Sequence, residues 1–358
     1  MTNVPTAFAA FSWPNTLATL LRREELSGAN ASWAMNEIMG GDATPVQIAS
    51  FAVLLRAKGE TAAELGALAS TMRDRAVPVT VSGRSVDLVG TGGDLAQTVN
   101  ITTMAALVVA GSGRQVTKHG NRSASSACGT ADVLEELGVV IDLPAAGVAR
   151  TVAEAGIGFC FAPVYHAGMR FAGAPRREMG VPTAFNLLGP LTNPARPEAA
   201  AIGCADLRMA PVVAQVLADR GDTAMVFRGD DGLDELTTTT TSQVWTAEAG
   251  EVRHSVLDPK LLGLATVAPD DLRGGDRIFN ASVVREVLGG APGPVRDAVL
   301  LNAAAGIAAF DGLGGAPLLD ALAQGLEVAR TSIDSGCAAT RLAEWVRVSA
   351  SARDSGDR

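Results

Sequence analysis

Residues 87–103, DLVGTGGDLAQTVNITT, place three glycines, two acids, an asparagine and four threonines directly behind a short apolar run. Glycine admits positive φ and lets backbone N–H groups come close to a ligand. A strand that turns through glycines into a helix aims those groups, and the helix dipole, at an anion. The spacing Gly90–Asp94 matches neither the G-x-x-x-x-G-K-[ST] phosphate loop nor the G-x-G-x-x-G dinucleotide fingerprint. By itself it reads either as a structural turn or as a phosphate cradle. Thr98, Asn100, Thr102 and Thr103 add neutral donors, and oxygens suited to a hard cation, at the start of the next helix. Helix capping accounts for one of them but not for four.

Three other stretches carry groups capable of chemistry. Lys118–Ser126, KHGNRSASS, combines Lys118, His119 and Arg122 with Asn121 and several serines in a glycine- and serine-rich loop. That suits a pyrophosphate, and it also suits a solvated turn. The loop continues through Gly129 and Thr130 into a helix, whose N–H groups add an anion site. Arg228–Leu236, RGDDGLDEL, sets acids behind a strand, where Mg²⁺ takes a few carboxylates and completes its shell with water and phosphate. Asp234 and Glu235 are neighbours, so a bent loop lets each reach one of two metals; the alternative is an acidic surface turn. The stretch after His166 carries Arg176 and Arg177, and arginine binds carboxylates bidentately. A double arginine also occurs on solvated helix faces. No serine elbow, Cys–His pair or zinc pattern is present.

The elements that must hold these groups follow from the pattern. The first seventy-odd residues read as short helices: Thr44–Gln47 fits a capping box with proline at the first helical position, and Thr61–Glu64 opens another helix. Past Pro78 short strands alternate with helices. VDLVG, QVTKHG, VVIDL, IGFCFAP and TAMVFRG read as strands, while NITTMAALVVAGSG, TADVLEELG and AGVARTVAEAG read as helices. The expected fold class is therefore α/β: a small helical bundle, residues 1–78 with a returning segment at about 166–196, and a larger α/β domain, 79–165 and 197–358. The sheet is expected to be mostly parallel, with ligands at the carboxyl ends of its strands, where Gly90, Gly120 and Gly229 lie. Thr237–Thr241 suits an extended segment, residues past Asp258 read as mostly helical, and the tail SARDSGDR reads as frayed.

A net charge of −9 over 358 residues argues against a general affinity for nucleic acid or an anionic membrane, so any anion must be held by a local device. The four cysteines are scattered, which fits reduced thiols in a cytoplasmic protein. No apolar run is long enough to span a bilayer.

Taken in order, GTGGD, TVNITT, KHGNR, SS with GTAD, RREMGVPTAFNLLGPLTNPA and GDDGLDE resemble the anthranilate phosphoribosyltransferase family over essentially the whole chain. The resemblance implies a homodimer that moves a phosphoribosyl group from phosphoribosyl pyrophosphate to anthranilate, a step in tryptophan synthesis, with two Mg²⁺ per subunit. By motif match it assigns phosphoribosyl pyrophosphate to Gly90, Gly93, Asp94, Thr98, Asn100, Ile101, Thr102, Thr103, Lys118, His119, Gly120, Asn121, Arg122, Ser123, Ala124, Ser125, Ser126 and Thr130. Thr102, Asp234 and Glu235 would hold the metals. Asn121 and Arg176 would contact anthranilate, with Gly90 and His119 close by. Lys118, Arg176, Asp234 and Glu235 would carry the catalysis.

The chain departs from the family pattern at Thr102 and Thr130, where serine is usual, at Ala127–Cys128, where Lys–Ser is commoner, and at HAGM in place of HPAM. CGTADVLEELG is also similar to the pyrimidine nucleoside phosphorylases, but that metal-free reaction leaves GDDGLDE without a purpose. A nucleic-acid-binding relative would need a basic groove, which the net charge disfavours.

Overall fold

The computed structural model describes residues 11–122 and 127–355. Along the chain come α1 (Trp13–Leu21), α2 (Gly28–Gly40), α3 (Pro45–Lys58), α4 (Ala62–Asp74), β1 (Val86–Gly90), α5 (Ile101–Gly111), β2 (Val116–Gly120), α6 (Thr130–Glu136), α7 (Ala145–Ala155), β3 (Ile157–Phe161) and α8 (Ala162–Tyr165). There follow α9 (Arg170–Met179), α10 (Phe185–Leu188), β4 (Ala199–Gly203), α11 (Ala210–Arg220), β5 (Thr223–Gly229), β6 (Ser242–Glu248), β7 (Glu251–Leu257), α12 (Arg277–Leu288), α13 (Pro294–Asp311), α14 (Leu318–Asp334) and α15 (Cys337–Asp354). Two compact units result: Met1–Ala76 with His166–Leu188, and Val77–Tyr165 with Gly189–Arg358.

The first unit is all-helical, as the capping signals require. Both expected boxes form: Thr44 Oγ1 accepts from Gln47 N while Gln47 Oε1 accepts from Thr44 N, and Thr61 and Glu64 repeat the exchange. Glu64 is fully buried and also accepts from Leu26 N at 2.8 Å and from the Lys58 ammonium at 2.7 Å. One side chain thus caps α4, tethers the start of α2 and neutralises the end of α3. Trp13, Phe51, Met35, Ile38, Leu55, Leu65 and Leu68 are buried in the same unit.

The second unit is built on one seven-stranded sheet, among the described residues, in the order β3-β2-β1-β4-β5-β6-β7. The first five strands run parallel, and β6 and β7 are antiparallel. The expectation of a helical bundle with a mostly parallel α/β domain is met. The order runs outward from β1 in one direction and from β4 in the other, so the β1/β4 boundary is the switch point at which such sheets bind ligands. α5 and α13 pack against the sheet. α13 is buried continuously from Ala298 to Ala309, which its alanine-rich face permits by letting the helix approach closely.

Several local expectations fail for identifiable reasons. Residues 139–143 form no strand; Val139, Ile141 and Leu143 alternate into the core as an irregular segment leading to α7. Thr237–Thr241 is bent rather than extended, because its hydroxyls turn back onto Asp230 and Asp231. The helix α15 continues through Asp354, so the described part of the tail is not frayed. β4 is an alanine run with little strand character of its own. β6 and β7 form a hairpin about Ala249 and Gly250, both at positive φ (52° and 82°), the geometry of a tight two-residue turn. The returning segment was expected to run to about 196, but residues 189–195 hydrogen-bond within the second unit. Gly189 O faces His119 Nδ1 at 2.9 Å, and Asn193 Nδ2 donates to Asp87 Oδ2 at 2.8 Å and to Thr117 O at 2.7 Å.

Candidate active site

Strand ends and loop geometry bring the acidic motif onto the glycine motif. Gly90 ends β1 and lies in register with Gly203, which ends β4. Asp234 occupies the space that side chains at these two positions would fill: a Cβ on Gly90 would lie 3.0 Å from Asp234 Cγ, and one on Gly203 only 3.3 Å from Asp234 Cα. Both glycines are needed for this close approach. Asp234 Oδ2 then accepts from Gly92 N at 2.7 Å, tying the two motifs together. The loop beyond is held in the left-handed region at Gly92, Gly93, Leu95 and Gln97 (φ 70°, 86°, 61° and 54°). Leu95 and Gln97 carry Cβ atoms there, a strain typical of ligand-gripping loops. A Cβ on Gly92 or Gly93 would meet nothing within 4 Å, so these glycines face open space.

Burial governs the charges at this point. Glu235 is 7% exposed, and the Thr102 hydroxyl, in the first turn of α5, donates to its Oε1. Burial pushes the Glu235 carboxyl well above the usual range, and Asp234 adds to the rise while Lys118 opposes it. Asp234 is likewise driven well up, first by burial and then by Asp94, whose Oδ2 lies 3.5 Å from Asp234 N. Asp94, Asp234 and Glu235 therefore act on one another here, and among the described residues of the second unit Lys118 is the one buried ammonium.

Mg²⁺, implied by the resemblance, can be tested against this donor set. Thr102, Asp234 and Glu235 offer only oxygen, and burial outweighs the pull of Lys118 that favours the Glu235 carboxylate. Among the described residues no three His, Cys, Asp or Glu side chains gather into a ready cage. Mg²⁺ suits such an incomplete shell, since it draws on water and substrate phosphates for the remainder. The residues present fit the ion.

Lys118 is buried in β2, 1% exposed, with its Nζ donating to Leu88 O on the neighbouring strand β1. Burial lowers its pKa, against the opposing pull of Asp87 and Glu235. His119 is buried beside it. Arg122 is exposed and held by Asp132 at 2.6 Å and by both oxygens of Glu135, with its guanidinium over the Phe161 ring. The three basic groups expected to share one loop thus part ways: two lie in the strand and one is tied to acids. Asn121 Oδ1 accepts from Arg122 N at 2.7 Å. Gly129 N is taken by the Asp132 carboxylate at 2.9 Å, so this amide, expected to face an anion, is already satisfied. Ser123, Ala124, Ser125 and Ser126 lie outside the described residues.

The threonine–asparagine stretch is fixed from α12. Asn280 Nδ2 donates to Asn100 Oδ1 at 2.8 Å, and Asn100 Nδ2 donates to Cys128 O at 3.2 Å. Asn100 precedes α5 without capping it. Thr98 pairs with Arg273, Val99 N donates to Leu272 O, and Thr103 Oγ1 lies 3.4 Å from Thr130 Oγ1. Threonine at 130 keeps the hydroxyl; a Cβ at Gly120 would meet its methyl at an ordinary 3.5 Å, the tight obstacle there being the Phe159 ring at 2.9 Å.

Arg176 belongs to the first unit, in the last turn of α9, with its guanidinium 5.9 Å from the Phe185 ring centroid. Burial lowers its pKa. No carboxylate pairs with it among the described residues. His166 is buried in the same unit.

Sequence reasoning missed Gly203, Asn280, Asp87 and Asn193. Gly203 and Asn280 lie outside every motif and give no local signal. Asp87 did give one: an acid inside the apolar strand VDLVG demands a buried partner.

Two family models match the chain: the glycosyl transferase family helical bundle domain over residues 14–76, and the glycosyl transferase family a/b domain over residues 82–339. An anthranilate phosphoribosyltransferase of Salinispora arenicola is 58% identical over 96% of this chain and 98% of its own, and one of Rhodococcus jostii is 60% identical over 95% and 94%. The crystal structure of the Thermus thermophilus enzyme of that name aligns with a TM-score of 0.87 at 38% identity, over 93% of this chain and 99% of its own. The Saccharomyces cerevisiae enzyme, solved with phosphoribosyl pyrophosphate and Mg, aligns with a TM-score of 0.83 at 26% identity, over 95% and 98%. Matching over more than nine-tenths of its length in sequence and fold, the chain belongs to the anthranilate phosphoribosyltransferases.

Proposed function

We propose how this chain divides the work of its family's reaction. In that reaction, a step of tryptophan synthesis, the phosphoribosyl group passes from 5-phosphoribosyl 1-pyrophosphate to the amine of anthranilate, and pyrophosphate leaves. The observation that carries the assignment is the meeting of Asp234 and Glu235 with the Gly90–Asp94 loop and Thr102 at the sheet's switch point.

Gly90, Gly93, Asp94, Thr98, Asn100, Ile101, Thr102 and Thr103 bind phosphoribosyl pyrophosphate, together with residues 118–126 and Thr130. Thr102, Asp234 and Glu235 would hold Mg²⁺, two ions per subunit. When bound, Mg²⁺ supplies positive charge to the departing pyrophosphate. Lys118 adds a fixed ammonium to the same end, and the loop amides add oriented dipoles. Arg176, Asn121, His119 and Gly90 are the residues assigned to anthranilate, the guanidinium fork suiting its carboxylate; the amine attacks in its neutral form. The C–O bond to pyrophosphate breaks with its electron pair on the oxygen. The amine forms the C–N bond, and the resulting cation gives a proton to water. Because the aromatic amine needs little activation, positioning and leaving-group stabilisation supply most of the acceleration.

The proposal extends to a cytoplasmic homodimer. Val46 and Val53, seven residues apart on α3, and Leu21 at the end of α1 are exposed apolar groups suited to a subunit contact; sedimentation equilibrium tests it, and a monomer at assay concentration overturns it. The reaction itself is tested by loss of anthranilate fluorescence with phosphoribosyl pyrophosphate, with and without Mg²⁺. Metal-dependent loss with equimolar pyrophosphate release is expected. Loss that proceeds equally after chelation overturns the metal assignment.

A further inference from the structure

Among the described residues of the second unit, three side chains that are formally charged at pH 7 are buried: Asp87, Lys118 and Glu235. Glu235 is given to the metal in the reading above, and Lys118 to the leaving group. Asp87 has no part in either, yet it is 1% exposed in the middle of β1. Its surroundings are built for a carboxylate. Oδ2 accepts from Asn193 Nδ2 at 2.8 Å, and Oδ1 accepts from His119 N at 3.1 Å. Asn193 is fixed in turn by its bond to Thr117 O and by Ala195 N, which donates to its Oδ1 at 2.9 Å. Asp87 therefore clamps β1 to β2 and to the chain at 193. It does so one residue from Leu88, whose carbonyl receives the Lys118 ammonium, and one residue from Lys118 itself through His119 N.

The charges explain why this is more than a strand clamp. Burial opposes the Lys118 ammonium; besides the Leu88 carbonyl, the charges that support it are those of Asp87 and Glu235, Asp87 the more strongly. Burial likewise raises Asp87, to about 6, and Lys118 is the foremost influence against that rise. Each stabilises the other's ionised form. Once Glu235 turns its charge to a cation, Asp87 is the buried carboxylate that remains for Lys118.

We propose that Asp87 is a positioning residue of the transfer reaction, its carboxylate being the buried counter-charge that holds the Lys118 ammonium at the carboxyl ends of β1 and β2. This rests on the reading of Lys118 as a stabiliser of the leaving pyrophosphate. Asn193 orients Asp87, Asp87 holds Lys118, and Lys118 meets the charge that develops as the bond to pyrophosphate breaks.

The test is a double-mutant cycle on the full-length enzyme with saturating Mg²⁺, read as anthranilate fluorescence loss, with folding checked by circular dichroism. Asp87→Asn is expected to lower kcat by about tenfold or more while leaving the KM for anthranilate within about twofold, the signature of an interaction made in the transition state. In a Lys118→Met background the same substitution is expected to add nearly no further loss, because coupled residues do not contribute independently. Multiplying losses, or a folded Asp87→Asn enzyme with parental kcat, overturns the proposal. A Lys118→Met enzyme with parental kcat instead overturns the underlying reading of Lys118. If Asp87→Asn does not fold, Asn193→Ala carries the same cycle. It loosens the clamp and keeps the charge, so a kcat loss of several fold that disappears in the Lys118→Met background supports the proposal, and a parental kcat or multiplying losses overturn it.

Discussion

A single methyl group on Gly203 tests whether Asp234 owes its place to the bare end of β4. Gly203 lies in no motif and touches no proposed ligand, but a Cβ there would run into the Asp234 carbonyl and lie 3.3 Å from its Cα. The obstacle is backbone, so no side-chain rotation relieves it. Restoring ordinary carbon contacts of about 3.5–4.0 Å requires the Asp234 segment to retreat by about 1.5 Å. That motion lengthens the 2.7 Å bond from Gly92 N to Asp234 Oδ2 and draws Glu235 away from Thr102. Overpacking of this kind costs about 1–3 kcal/mol of stability. A misplacement of about 1 Å in a positioned catalytic group costs turnover on the order of 100-fold. Gly203→Ala is therefore expected to fold, to melt lower, and to lose about 100-fold in kcat, with part of the loss recovered at high Mg²⁺. Gly221→Ala is the control. Gly221 ends α11 at φ 80°, and a methyl added there would meet no atom within 4 Å, so the change costs about 1 kcal/mol from backbone strain alone and leaves kcat unchanged. The assay is anthranilate fluorescence at matched folded concentration, with urea denaturation for stability. If Gly203→Ala keeps kcat within threefold of the parent while folded, Asp234 is not held at a functional position by this contact and the reasoning fails.

Other expectations follow from the same geometry. Lys118→Met and Glu235→Gln should each depress kcat by about 100-fold or more, because the first removes an ammonium that faces the leaving group and the second weakens the hold on the metal, whereas His166→Gln should cost less than about tenfold; equal kcat in the three variants refutes that division. Arg176→Lys should raise the KM for anthranilate by about tenfold with the KM for phosphoribosyl pyrophosphate unmoved, since an ammonium cannot replace the planar fork on a carboxylate; a shift confined to the other substrate refutes the role. Asp87 also predicts a pH dependence. Its folded pKa of about 6 lies above the ordinary 3.8, so the folded state holds the extra proton, and stability declines as pH rises from about 4 to about 6 and levels off beyond. The difference corresponds to about 3 kcal/mol, and Asp87→Asn should remove that slope in urea denaturation of the metal-free protein. Parallel parent and variant curves between pH 4.5 and 6.5 would sink the assignment.

What the sequence reveals of this site depends on whether a residue's task is local. Thr44 and Thr61 announce their helices because a capping box closes within four residues, and Gly90–Asp94 announces a turn because positive φ selects glycine on the spot. The acids of GDDGLDE are legible as chemistry, since neighbouring carboxylates behind a strand are costly without a cation. Their destination is not legible, because it is set by Gly90 and Gly203, more than one hundred residues apart in sequence yet in register across the sheet. The run KHGNR misleads for the opposite reason: it crosses the end of β2, so adjacent letters fall into different surroundings. Lys118 enters the strand and is buried, while Arg122 leaves it and is taken by Asp132 and Glu135. The alanine run of β4 and the irregular path of residues 139–143 fail as sequence signals because their partners, not their own propensities, decide whether a ladder forms. Asp87 stands between these cases. An acid flanked by valine and leucine in a five-residue strand states that a buried charge must be answered, and the answer lies one strand away in Lys118 and 106 residues away in Asn193. A misfit of this kind within a regular element is thus a pointer to the chemistry, since a fold retains an unfavourable buried charge only where another charge requires it.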